Sequence, residues 1–214
     1  MQITHLGHAA VLVEVADRRI LFDPGNFSDG WHGLRDLDAI LVTHQHPDHI
    51  DPEHVPALVA ANPGAAVYVE PQVLGAVDLP GARPLAADTS IDLGAGIGLA
   101  AVGGLHAVIH ADIPRIGNVG LVLTAAGEPT FFHPGDSLAS IPAGVDVVAV
   151  PAYGPWAAMK ETIDFVRSVG APHGFLIHDR LLGPRGWALA FNRLGEMGPA
   201  PLVDLRDAVP WRPA

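Results

Sequence analysis

Ala39-Ile40-Leu41-Val42-Thr43-His44-Gln45-His46-Pro47-Asp48-His49 is the stretch on which the fold turns. Its first four residues are a continuous apolar run, the pattern of a buried strand. The run stops at Thr43, and His44, His46, Asp48 and His49 follow at once. In a turn, alternate residues such as His44 and His46 can point the same way, which leaves Asp48 and His49 for a second ion nearby. Neutral imidazoles and a carboxylate suit zinc, manganese or iron(II). The alternative is a polar surface loop. Three histidines and an aspartate tied directly to a core strand speak against it.

Such a cluster does not complete a two-ion site, so further ligands are expected at strand ends elsewhere in the chain. Three positions stand out. His106 follows Ala101-Val102-Gly103-Gly104-Leu105, Asp136 follows Phe131-Phe132-His133-Pro134-Gly135, and His178 follows Phe175-Leu176-Ile177. Asp23 lies between a β-rich run and Pro24-Gly25. It reads either as an acceptor for the N–H of a ligand histidine or as a turn residue. His8 in the first loop either reaches substrate or satisfies turn backbone. His5 reads as structural. His133 is expected to point away from Asp136 or to line the entrance of the site.

Around these motifs the chain alternates short elements. Strands are expected at Ala10 to Val15, Arg19 to Phe22, Ala39 to Val42, Ala66 to Val69, Ile97 to Val102, Val119 to Thr124, Thr130 to Phe132, Asp146 to Val150 and Gly174 to Ile177. Helices are expected at Pro52 to Ala61 with Asp51 as N-cap, at Ala157 to Val169, and at Pro184 to Leu194. Trp156 and Lys160 share a helical face if the second helix starts early. They would then line a pocket or simply begin an amphipathic helix. His54 and His173 read as ordinary members of a helix and a strand start. Two sheets face to face with helices outside, in one domain over residues 1–214, fit this order. Periodicity alone does not separate that from other α/β layouts.

Composition narrows the chemistry. The chain has no cysteine, so any metal is held by imidazole and carboxylate. Twelve Lys+Arg against 23 Asp+Glu give a formal net charge of −11, which argues against nucleic acid as the main partner. No apolar run approaches the roughly 18 residues of a membrane span. Met1-Gln2-Ile3-Thr4-His5 does not open like a signal peptide. A cytoplasmic protein acting on a small molecule, away from membranes, is the expectation, and a homo-oligomer stays open.

His44, His46, Asp48 and His49 match in full the H-x-H-x-D-H hallmark of the metallo-β-lactamase-fold hydrolases, and the chain resembles that group over nearly its whole length. Thr4-His5-Leu6-Gly7-His8-Ala9 and Phe132-His133-Pro134-Gly135-Asp136-Ser137 look like the branch of ascorbate-6-phosphate-lactonase-like and related metal-dependent hydrolases, although this chain is shorter than that lactonase. The resemblance implies an α/β fold, a four-layer αββα sandwich. It implies that His44, His46 and His106 hold one divalent metal, that Asp48, His49 and His178 hold a second, and that Asp136 bridges both. His110 competes with His106, which sits closer to the strand end. Zinc is the first expectation, with manganese or iron also suited. The implied reaction is attack of a hydroxide shared by two cations on a small ester, lactone or phosphodiester, with Asp48 orienting the nucleophile or passing a proton to the leaving group. Asp136 and Asp48 are the expected catalytic carboxylates, with His8, Asp23, His110 and Trp156 around them. Two other readings remain. One is an iron-binding oxidoreductase of the same fold. The other is a non-catalytic metal or ligand binder, against which a set of seven ligands argues, since structural sites usually close with four.

Overall fold

The computed structural model describes residues 1–213. The first sheet runs in chain order: β1 (Gln2–Gly7), β2 (Ala10–Val15), β3 (Arg18–Phe22), β4 (Ala39–Val42), β5 (Ala66–Val69) and β6 (Arg83–Pro84). Its first three strands are antiparallel, and β3 to β6 are parallel. The second sheet is ordered β12 (His173–Ile177), β11 (Val147–Pro151), β10 (Phe131–His133), β9 (Val119–Ala125), β8 (Ile97–Gly103) and β7 (Ser90–Asp92). Here β7 to β10 are antiparallel and β10 to β12 parallel.

Side-chain alternation along the strands sets the layers. Val11, Val13 and Phe22 of the first sheet meet Leu121, Phe131 and Phe175 of the second in the central core. Leu12, Leu21 and Ile40 face the other way, under α1 (Val55–Ala61) and α2 (Val73–Ala76). Phe132, Val148 and Leu176 pack beneath Phe165 and Val166 of α3 (Met159–Val169) and Leu194 of α4 (Pro184–Met197). Both faces of each central strand are therefore buried, which is why Ala39 to Val42 and Val147 to Val150 read as unbroken apolar runs. The result is the four-layer αββα sandwich.

Two helix starts differ from the sequence expectation. α1 begins at Val55, not Pro52. Pro56 has no N–H to donate four residues back, so it is tolerated only in the first turn. Asp51 accepts from the backbone N–H of Glu53 and of His54 and holds a separate turn ahead of the helix. α3 begins at Met159, so Trp156 lies in the preceding turn and does not share a helical face with Lys160. Strand β1 and the short elements α2, β6 and β7 were not expected, the last three being too brief to show a period. Among the described residues, no helix is long and apolar enough to cross a membrane.

Strand directions bring the site together. The β1–β2 turn, the C-terminal ends of β3 and β4, the end of β8 and the C-terminal ends of β10, β11 and β12 all open on one edge of the sandwich. His8, Asp23, His44, His106, Asp136 and His178 each occupy one of those ends or turns.

Candidate metal centre

Asp136 occupies the centre. Its Oδ1 is 3.1 Å from His49 Nε2, and its Oδ2 is 3.1 Å from His178 Nε2, 3.4 Å from His106 Nε2 and 3.9 Å from His44 Nε2. His44 Nε2 lies 3.1 Å from His46 Nδ1. Asp48 Oδ2 is 3.0 Å from His8 Nε2 and 3.4 Å from His178 Nε2. Two groups with metal-ligand geometry result: His44, His46, His106 and Asp136, and beside them His8, Asp48, His49 and His178.

The far side of most rings is tied back. His49 Nδ1–H donates to Asp23 Oδ2 at 2.7 Å, and His106 Nδ1–H donates to the Ala107 carbonyl at 2.7 Å. His178 Nδ1–H donates to the Tyr153 carbonyl. The Thr43 hydroxyl donates to Asp23 Oδ2 at 2.7 Å and so accepts from His44 Nδ1–H at 3.0 Å. Each bond orients its ring with Nε2 facing inward. The Nε2 atoms of His49, His106 and His178 and the Oδ1 of Asp136 are buried with no hydrogen-bond partner. An unsatisfied buried polar atom costs about 1–3 kcal/mol, and several in one place fit cations as the missing partners.

Electrostatics point the same way. Burial raises the Asp136 carboxyl, but His49 and His178 outweigh it and hold its pKa well below the ordinary value. Asp48 is lowered likewise, with His178 and His8 overcoming its burial. Burial opposes a charged imidazole at His178, yet Asp136 and Asp48 lift its pKa to about 9. His49 is also raised, by Asp136 and Asp23 against its burial. Burial lowers His44, His46 and His8, the last to about 4. The carboxylates thus stay ionised and demand positive charge. Protons on His49 and His178 supply it until cations take their place.

The backbone is bent to fit. His8, Asp23 and His178 adopt positive φ values of 53°, 44° and 57°, a strained region that recurs at functional sites. Gly25 is required by close approach, because a Cβ there would sit 1.8 Å from the Asp48 carbonyl oxygen. Gly135 turns the chain with φ 60°, and Asn118 Oδ1 accepts the next N–H, that of Asp136, at 2.9 Å.

Comparison with known proteins agrees with this architecture. The family described as Beta-lactamase superfamily domain matches residues 2–173. The chain belongs to the beta-lactamase superfamily. The match ends on the first residue of β12, just short of His178. The chain is 41% identical to protein Rv0786c of Mycobacterium tuberculosis over 198 residues, 92% of each chain. It is 32% identical to a metal-dependent hydrolase of Xanthobacter autotrophicus over 152 residues, 64% of this chain and 62% of that one. Among solved structures, the metallo-beta-lactamase fold protein YhfI of Bacillus subtilis aligns with a TM-score of 0.73 at 15% identity, covering 99% of each chain. That last likeness speaks for the superfamily's fold alone.

The remaining residues singled out in the sequence fall as follows. His106 is in the cluster. His110 is exposed beside Asp112 and is not brought to it. Trp156 donates its indole N–H to Asp136 Oδ2 at 3.0 Å. His133 does not line the entrance of the site. It is fully buried against Phe22 and donates Nε2–H to the Ala9 carbonyl at 3.0 Å. His5 Nε2–H donates to the His8 carbonyl at 2.9 Å and supports that strained turn. Over the cluster opens a cleft of about 400 Å³, walled by Phe27, Ile109, Pro155, Trp156 and Leu181. Sequence reasoning missed Asn118, Phe27, Ile109 and Leu181. Asn118 carries a faint signal, a polar residue opening an apolar strand. The other three look like any apolar loop residue.

Proposed function

We propose that the protein is a metal-dependent hydrolase that opens small, uncharged esters or lactones. One observation carries the reading: inward-facing Nε2 atoms on rings tied at Nδ1 surround a shared carboxylate. His44, His46 and His106 would hold one divalent ion, Asp48, His49 and His178 the other, and Asp136 both. Zinc suits this donor set best, and manganese or iron also fits it. Bound ions of this kind polarise a substrate oxygen and bring water to a pKa of roughly 7. The relative named as a metal-dependent hydrolase supports the reaction class.

The chain's own residues supply the rest. Asp48 reaches the cleft as a carboxylate, so it can orient the attacking water and pass a proton on to the leaving group. His8 holds Asp48 in place through their 3.0 Å contact. Trp156 orients Asp136 and presents its ring to the substrate.

The cleft wall decides between substrates. Its lining contains no lysine or arginine, and its aliphatic and aromatic side chains would exclude water from an apolar substituent. A phosphodiester's charge would be met by the bound ions alone, with no lysine or arginine beside them to hold it. The net charge of −11 argues further for a small molecule over nucleic acid.

The test is to load the protein with zinc, manganese or iron(II) and compare p-nitrophenyl butyrate, an alkyl lactone and bis(p-nitrophenyl) phosphate. An ester or lactone should lead the phosphodiester in kcat/KM by roughly tenfold or more, the weight of about 1.4 kcal/mol. Asp136→Ala should abolish it. Preference for the phosphodiester would overturn the substrate class. Full metal loading without hydrolysis of any of the three would overturn the hydrolase reading.

A further inference from the structure

A second imidazole–carboxylate group stands outside the cleft. His32 lies in the loop between β3 and β4, and His54 lies just ahead of α1. Their rings stack with centroids 4.5 Å apart and planes inclined by 29°. His54 Nδ1 is 2.7 Å from Asp51 Oδ2. One ligand atom from each of His32, Asp51 and His54 lies within 4.8 Å of the other two.

The three are unequally free. Asp51 is buried, its Oδ1 accepts the Glu53 N–H at 2.8 Å, and its own N–H donates to the Pro24 carbonyl at 3.0 Å. One ligand is therefore fixed by the backbone, while the two exposed rings can swing. The group borders an adjoining surface cleft of about 550 Å³, which shares Asn26 and Phe27 with the first. Asp29 and Glu53 on the same wall add negative charge, against a single cation, Arg180.

We propose that His32, Asp51 and His54 form a third cation site, selective for a divalent ion of the zinc type. Two imidazoles with one carboxylate favour zinc over magnesium or calcium, which prefer all-oxygen shells. Tetrahedral ligands about 2.0–2.2 Å from an ion stand roughly 3.3 Å from one another. The three ligand atoms now stand within 4.8 Å of one another, and the two rings that would have to close to that spacing are exposed. The ion would be held by one atom of each of the three side chains, and water fills the fourth position. Occupation would fasten the loop after β3, which carries Asp23, Gly25 and Phe27, to the start of α1. This site does not depend on the reaction proposed for the cleft.

The experiment is zinc binding by the whole chain, by equilibrium dialysis at free zinc buffered to micromolar levels, with the ions per chain counted. His32→Ala and His54→Ala, both at exposed rings, are compared with wild type and with His110→Ala, which lies beside Asp112 in another exposed His–Asp pair. Each of the first two variants should bind one zinc fewer per chain than wild type and His110→Ala, with circular dichroism unchanged. Part of the zinc-dependent rise in thermal midpoint should be lost with it. An equal zinc count in all four proteins would overturn the proposal. So would a drop in His110→Ala that matches the drop in His54→Ala.

Discussion

Asp23→Asn keeps the size of a fully buried side chain and changes the direction of two hydrogen bonds. Asp23 accepts the Thr43 N–H at 2.8 Å, the Thr43 hydroxyl at 2.7 Å and His49 Nδ1–H at 2.7 Å. The asparagine carbonyl oxygen can keep the Thr43 N–H. Its amide then faces the Thr43 hydroxyl and His49, and it donates where the carboxylate accepted. The His49 Nδ1 becomes an acceptor and the proton moves to Nε2, the atom aimed at the metal cluster. To ligate, His49 must break that new bond or lose its remaining proton. Changing the partner of a ligand histidine typically costs 10–100-fold in metal affinity, or about 1.4–2.7 kcal/mol. Loss of charge-assisted hydrogen bonding adds about 1–3 kcal/mol to the fall in folding stability. The assay is competition for zinc against a chelator of known affinity, paired with ¹⁵N NMR of the imidazoles in the metal-free protein. The expected result is a 10–100-fold weaker second zinc and a His49 Nδ1 that has lost its proton. Zinc affinity within about twofold of wild type, with Nδ1 deprotonated, would refute the claim that Asp23 prepares His49 for a metal.

Three further predictions follow from the same geometry. Gly25→Ala forces a methyl into the Asp48 carbonyl and the His49 N–H, where contacts would be 1.8 and 2.5 Å. Thermal denaturation should show a loss of about 1–3 kcal/mol together with reduced metal content. Zinc uptake should release protons near neutral pH and strengthen from pH 7 to 9, because His178 holds its proton up to about pH 9 without the metal. That raised pKa also stabilises the metal-free fold, fully below about pH 6.5. The benefit is lost as pH climbs through 9, and isothermal titration in buffers of different ionisation enthalpy measures the proton count. Trp156→Phe removes the N–H held by Asp136 and keeps most of the ring. Steady-state kinetics should show kcat/KM reduced roughly tenfold, in line with about 1.5 kcal/mol for a hydrogen bond to a charged group, with zinc content unchanged.

Legibility in the sequence followed the locality of the signal. Ala39 to Val42 showed as a buried strand because both its faces are covered, and His44 to His49 showed as a ligand cluster because its members are neighbours in the chain. Pro56 could have fixed the start of α1 from sequence, since it cannot stand in a helix interior. His54 passed as an ordinary helix residue because its partner His32 is distant in sequence, and stacking leaves no periodic trace. Asn118 serves Asp136 from the start of β9, and nothing in the chain links the two until the strands pair.

By itself, then, the sequence determined an α/β chain of short elements, the absence of thiolate ligands and the candidate histidines and carboxylates at strand ends, because strand patterning and ligand chemistry are local properties. Tertiary structure alone decided between His106 and His110 as the imidazole brought to the cluster, since both follow the same strand and only the path of the loop separates them. It alone turned Asp23, Thr43 and the Tyr153 carbonyl into the groups that aim the rings. It also walled the cleft with apolar side chains from separate loops. Those are consequences of which strand ends meet at one edge of two sheets, and that meeting is written in no single stretch of chain.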